Sequence, residues 1–235
     1  MEKAKNMELS SKNLSRVYEK SDALSHYLSQ TRRDAVKVHW EEPVSRSVFK
    51  QAIISKNTEH RGVLRVADIG SGTGDGYVLL SSLLAKQPEL CERLDYLGVD
   101  ISPAMIDTAN KLYGTEKNVK FTCADIRSWQ LDQPIDLYLS CGVPYSHLTT
   151  DELYKALQLI VASVQKQGMR CAVIIDVLGK YSIEWTPQWQ HSRWNYCMSF
   201  IETKQEQAEM LMSFYSHHQL QQLMESAAQS QGCSI

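Results

Sequence analysis

The sequence predicts an α/β domain, a parallel sheet with helices on both faces, and three observations carry that expectation. From Val63 onward short apolar runs alternate with amphipathic segments. One of those segments carries an apolar stripe at helical spacing, and the first apolar run opens straight into a glycine-rich loop followed by a helical pattern.

Taken in order, the first 60 or so residues read as helices. Leu24, Tyr27 and Leu28 share one face, and Val44, Val48 and Phe49 repeat the pattern after Pro43. Five apolar runs follow: Val63–Ile69, Leu94–Val99, Val119–Cys123, Ile135–Cys141 and Met169–Val177. Helical patterns lie between them at Tyr77–Lys86, Pro103–Leu112 and Glu152–Gln165, the last with Leu153, Leu157, Ile160, Val161 and Val164 on one face. Strand–helix–strand alternation of this kind calls for right-handed crossovers and therefore a parallel sheet. Past Gly179, Trp194–Thr203 and Ala208–Ser216 are expected to pair as an antiparallel hairpin around Lys204–Gln207, with His217–Gln229 helical. A length of 235 residues suits one domain with an extension, divided as a helical lid over 1–60 and a main domain over 61–235. Where the chain ends, at Cys233-Ser-Ile, two readings stay open: the hairpin completes the sheet, or the chain is cut from a longer polypeptide.

Composition narrows the partners. A net charge of -2 gives no global pull toward nucleic acid or an anionic membrane. No apolar run approaches the ~20 residues that span a bilayer, and the polar N-terminal segment lacks the apolar stretch of a signal peptide, so a cytoplasmic setting is expected. Cys91, Cys123, Cys141, Cys171, Cys197 and Cys233 are scattered without a C-x-x-C pair, so neither a zinc site nor a disulfide scaffold is expected, and several that sit in apolar runs are expected to be reduced core residues. The histidines show no H-x-x-x-H spacing, and no carboxylate cluster suggests an oxygen-rich cation site, so no metal is expected.

The most informative stretch is Val66-Ala-Asp-Ile-Gly-Ser-Gly-Thr-Gly-Asp-Gly76, at the junction where a doubly wound, Rossmann-like fold binds its ligand. Neither glycine frame completes the dinucleotide fingerprint G-x-G-x-x-G/A: counting from Gly70 the sixth position is Asp75, and from Gly72 it is Tyr77. No Lys-Ser/Thr follows, so the P-loop pattern fails as well. Asp68 places a carboxylate at the mouth of the loop, where it repels a pyrophosphate and attracts a cationic amino-acid portion.

Asp-Ile-Gly-Ser-Gly-Thr-Gly resembles the first motif of class I S-adenosylmethionine (SAM)-dependent methyltransferases. The resemblance implies that Gly70, Gly72 and Gly74 wrap the methionine portion of SAM and that Asp68 serves its amino group. Leu97-Gly-Val-Asp100 ends the second strand with a carboxylate suited to a ribose diol, and continues as Ile101-Ser-Pro-Ala-Met105, similar to the family's second motif. Ile101 and Met105 are thereby expected to flank the adenine. Asp125 and Ile126 close the third strand at the position that meets the adenine amino group in the family, and Cys141 closes the fourth. A strand-end Asp alone is as often a helix cap; three in register after this loop are a pattern, which covers about Val63 to Val177.

In this family the loop after the fourth strand lies beside the transferring methyl, which makes His147 the candidate general base. The other reading is that His147 caps or packs against the helix starting near Asp151. Asp176 ends the fifth strand and either orients a base or acceptor, or caps structure. Tyr181, Glu184, Trp185, Trp189 and Trp194 lie in an aromatic excursion that either lines an acceptor pocket or covers sheet edge. His39 and Glu41 of the expected lid are weaker candidates.

The function expected is therefore SAM-dependent methylation, at oxygen, of a small-molecule or acyl-carrier-protein-bound acceptor. The aromatic excursion and helical lid also look similar to methyltransferase domains embedded in polyketide synthases. An N- or C-methyltransferase and a SAM-binding module without catalysis stay as alternatives, with a nicotinamide-dependent oxidoreductase a distant third.

Overall fold

The computed structural model describes residues 18, 19, 25, 28, 37–59, 62–129, 133–168, 170–198, 208–233 and 235. The face expected from Leu24 and Tyr27 and the turn Lys204–Gln207 lie outside them. The chain divides into two compact units. One comprises the chain through Asp125 with Ile135–Cys141 and Cys171–Ile174; the other comprises Ile126–Pro134, Gly142–Arg170 and Ile175–Ile235.

The first unit is built on a parallel sheet. Its strands are β1 (Leu64–Ile69), β2 (Leu94–Asp100), β3 (Val119–Cys123), β4 (Leu137–Leu139) and β5 (Ala172–Val173), in the order β3-β2-β1-β4-β5. The chain steps outward from β1 to β3, then returns to β1's other edge with β4. That reversal makes the carboxyl ends of β1 and β4 the topological switch point, where ligands bind in such sheets.

Helix α1 (Glu42–Glu59) follows a short π-helical turn, Lys37–Glu41. It seats Phe49 and Ile53 in the core of the sheet unit, whereas Val44 is 60% exposed. The buried face is thus set by Phe49 and Ile53, four residues apart, and not by the Val44–Val48 pair that Pro43 precedes. Helix α2 (Asp75–Leu84) leaves the glycine loop. The six-residue α3 (Pro88–Arg93) leads into β2, and α4 (Pro103–Tyr113) begins with Ser102 accepting from the Met105 N–H.

The second unit holds α5 (Thr150–Gln167), capped by Thr149 and Glu152 in a reciprocal capping box, and α6 (His217–Ser230), capped likewise by Ser216 and Gln219. The expected hairpin is present: β7 (Arg193–Met198) and β8 (Ala208–Tyr215) pair antiparallel, with Trp194 opposite Met212. A two-residue β6 (Leu178–Gly179) lies parallel on the other edge of β8.

One expectation needs correcting. Among the described residues the run Met169–Val177 contributes only the two-residue β5, with Ala172 and Val173 opposite Leu137 and Tyr138 of β4. Of the five cysteines whose side chains are described, none forms a disulfide: Cys141 packs half-buried against the core, Cys171 and Cys233 are half-buried, and Cys91 and Cys123 are exposed. Among the described residues no helix is long and apolar enough to cross a membrane.

Candidate cofactor site and acceptor-side residues

The glycine loop is tied down at both ends of its turn. The N–H groups of Gly70 and Ser71 donate to the Val99 carbonyl at 2.8 and 3.0 Å, and the Gly72 N–H donates to Asp100 Oδ2 at 2.9 Å. Gly70, Gly72 and Gly74 all have positive φ, 70°, 52° and 102°. That conformation suits glycine because it has no Cβ to clash. Nothing lies within 4 Å of where a Cβ on Gly72 would stand, so the loop is open on that side.

Asp68 does not stand at an open mouth as the sequence suggests. It is the fifth residue of the six-residue β1, opposite Gly98 in the β1–β2 register, and its side chain is fully buried. Its Oδ2 accepts a hydrogen bond from the Tyr96 phenol, and its Oδ1 has no hydrogen-bond partner among the described residues. Burial is the main cause that pushes the Asp68 carboxyl up to about 8; the Tyr96 hydrogen bond pulls it down, and Asp75 and Asp100 push it further up. The hydroxyl of Ser71, in the same loop, is buried and lacks a hydrogen-bond partner too.

Asp100 is half-buried, with Oδ1 accepting from the Ser102 N–H at 2.8 Å as well as Oδ2 from Gly72. Burial raises its pKa, and the N–H groups of Ser102, Gly72 and Ile101 lower it. The Ala124 N–H donates to the Asp100 carbonyl at 2.9 Å, which brings the chain just before Asp125 to the same end of the sheet. Cys141, at the end of β4, is half-buried against the core. Met105 is 2% exposed on the inner face of α4 with Ile106 and Ala109, whereas Ile101 is half-buried.

The structure thus gathers Asp68, the three glycines, Asp100, Ile101, Met105, Asp125 and Cys141 into the sheet unit. Ile126, His147 and Asp176 belong to the other. There, Asp176 Oδ2 accepts from the N–H groups of Gly142 and Val143 at 2.8 and 3.2 Å. Both residues have positive φ, 84° and 55°, and for the β-branched Val143 that is strained. Two successive amides converging on one carboxylate form a nest, so Asp176 holds this turn. His147 ends the 3-10 turn Pro144–His147 that follows, and burial pushes its imidazole down to about 4.

The aromatic excursion is not one cluster. Tyr181 is exposed and meets Trp189 edge-on at 5.8 Å, while Trp194 stacks on Phe214 across the hairpin. The side chains of Glu184 and Trp185 lie outside the described residues, and His39 and Glu41 are exposed. Among the described residues no group of three or more His, Cys, Asp or Glu side chains is placed to hold a metal.

Sequence reasoning missed two residues that meet the Asp68 carboxyl, Tyr96 and Gly76. A Cβ on Gly76 would overlap Asp68 Oδ2. Tyr96 shows only as a polar-tipped aromatic among inward β2 positions, two residues before Gly98.

Sheet order, switch point, glycine loop and strand-end acids together give the chain a Rossmann-like methyltransferase fold. Residues 66–168 match the family model described as "Methyltransferase domain". The chain is 36% identical over 77 residues to a malonyl-[acyl-carrier protein] O-methyltransferase from Acetivibrio thermocellus. That match covers 33% of this chain and 24% of the relative, so it spans about a quarter of the relative's length. The fold is similar to magnesium protoporphyrin IX methyltransferase from Synechocystis with bound S-adenosylhomocysteine (SAH), at 14% identity and a TM-score of 0.58 over 92% of this chain and 89% of that one. It is similar as well to a SAM-dependent methyltransferase from Clostridium acetobutylicum, at 13% identity and a TM-score of 0.57 over 87% of each chain.

The cradle fits SAM on its own chemistry. Among the described residues Asp68 Oδ1 is a buried carboxyl oxygen without a hydrogen-bond partner, and a cationic amino-acid portion would satisfy it.

Proposed function

We propose that this protein transfers the methyl group of SAM to an oxygen of an organic acceptor, with an acyl chain on a carrier protein as the acceptor class. The observation that carries the cofactor half is the buried Oδ1 of Asp68, which has no hydrogen-bond partner among the described residues. The acceptor half is supported by the relative named for malonyl-[acyl-carrier protein] O-methylation. SAM supplies a methyl already activated by its sulfonium. The chain's own residues bind and orient: Asp68 meets the ammonium, Asp100 accepts from the ribose hydroxyls, and Ile101, Met105, Asp125, Ile126 and Cys141 serve the adenosine.

His147 refines the acceptor. An imidazole held near 4 is neutral at physiological pH but takes a proton from an alcohol poorly, since a general base works best with a pKa near the working pH. A carboxylate acceptor, as at the end of a malonyl chain, has no proton to remove at neutral pH. His147 then acts as a neutral hydrogen-bond partner that holds the acceptor oxygen, and Asp176 keeps the turn leading to it in place. Positioning and exclusion of water carry the remaining rate.

The test is mass spectrometry of carrier proteins incubated with the protein and SAM, one bearing a carboxylate-ended acyl chain and one a β-hydroxyacyl chain. One methyl gained on the carboxylate-ended chain, and lost with Asp68→Ala, is the expected result. A gain on the β-hydroxyacyl chain alone would return His147 to general-base duty. No gain on either, with SAH still bound, would remove the carrier-bound acceptor.

A further inference from the structure

The two oxygens of the Asp68 carboxyl are treated differently. Oδ2 accepts the Tyr96 phenol, while Oδ1 is left without a hydrogen-bond partner among the described residues. Tyr96 is fully buried and fixed between the rings of Tyr77 on α2 and Phe121 on β3, with centroids 5.1 and 5.6 Å away. Gly76 brings the backbone of α2 against the same oxygen, with no space for a Cβ. The carboxyl is thus held from two elements.

The charged groups bearing on it are Asp75 at the start of α2 and Asp100 at the end of β2, both acidic. Tyr77 and Cys141 bear on Tyr96 from α2 and from the end of β4, and both also disfavour a phenolate there. None of these supplies a positive charge. Among the described residues a negative charge on Asp68 therefore has one phenol to stabilise it until a cation arrives.

We propose that Tyr96 is a positioning residue for the cofactor: it fixes Asp68 with Oδ1 available to the ligand's ammonium and favours the ionised form, so that binding is coupled to loss of a proton from Asp68. This rests on the assignment of the loop to SAM. In the free protein, burial keeps the carboxyl protonated up to about pH 8. On binding, the carboxyl O–H breaks, its proton goes to solvent and the carboxylate pairs with the ammonium; no other bond changes. Tyr96 stays a phenol throughout, because burial and Asp68 push its pKa well above the usual value. By linkage, affinity rises about tenfold per pH unit as pH climbs toward 8.

Calorimetric titration with SAH between about pH 6 and 8.5, in two buffers of different protonation enthalpy, tests this on wild type, Tyr96→Phe and Asp68→Asn. Wild type is expected to bind more tightly as pH rises and to release close to one proton per ligand near pH 7. Tyr96→Phe keeps the ring packing, yet should shift the profile to higher pH and weaken binding near neutrality by about tenfold or more, the loss expected for a hydrogen bond to a charged group. Asp68→Asn reports any pH dependence belonging to the ligand's own amine. A Tyr96→Phe profile that superimposes on wild type overturns the proposal. So does wild-type proton release no greater than that of Asp68→Asn, a comparison that decides the matter even where Tyr96→Phe fails to fold. No binding of SAH to wild type at any pH would instead remove the SAM assignment.

Discussion

Burial acts in opposite directions on the two titratable side chains that matter most. It favours the neutral acid at Asp68 and the neutral base at His147, so both are uncharged at neutral pH in the free protein. For His147 the consequence is direct: its imidazole NMR shifts should stay constant from about pH 5.5 to 8, with any titration near 4. A midpoint between 6 and 7 would mean that the ring is solvated and would restore the argument for a general base. Asp68, Gly70, Gly72, Gly74 and Asp100 were legible because their spacing along the chain is itself the signal. Tyr96 and Gly76 were not. Their roles depend on the β1–β2 register that sets Asp68 beside Gly98, and on α2 folding back over the carboxyl, neither of which is written in local spacing.

At the scale of elements, ends are better defined than lengths. Helix α5 was readable from its apolar stripe, and its start is fixed by the capping box. Thr149 Oγ1 accepts from the Glu152 N–H at 3.2 Å, and Glu152 Oε2 accepts from the Thr149 N–H at 2.9 Å. Glu152 also pairs with Arg127 at 2.8 Å, which ties the preceding turn to the helix start. Thr149→Ala should therefore lower stability by about 1 kcal/mol, measured by chemical denaturation, because it leaves the Glu152 amide uncapped. The short α3 escaped sequence reading because Pro88–Arg93 is too brief to show a period. The extent of β5 escaped it for a different reason: an apolar run reports burial, whereas strand length also depends on how much neighbouring strand there is to pair with. The hairpin was legible from two alternating stretches of suitable length, although its partner β6 was not, being two residues long.

For the whole molecule, Asp68 and His147 combine into a pH dependence of folding. The native state holds a proton on Asp68 up to about 8 that an unfolded chain, near 3.8, gives up; its stabilisation is therefore lost as pH rises between those values. His147 has the opposite sense, since its native pKa of about 4 lies below 6.5: its contribution is present above 6.5 and is lost as pH falls toward 4. From these two groups, stability without ligand should be nearly flat between about pH 5 and 6.5. It should then fall by about 2 kcal/mol between pH 6.5 and 8, at about 1.4 kcal/mol per unit. Denaturant midpoints at these pH values check the shape, and a curve still rising between 6.5 and 8 would contradict the buried neutral carboxyl. The close approach of Gly76 to Asp68 has a further consequence, in evolutionary terms. The substitution Gly76→Ala brings a methyl into collision with the carboxyl unless position 68 has already changed, and a change at 68 removes the ammonium partner. The two positions are therefore epistatic: a drift library selected for activity should return both as they are, and a library selected for folding alone should admit Gly76→Ala only in clones that have lost Asp68.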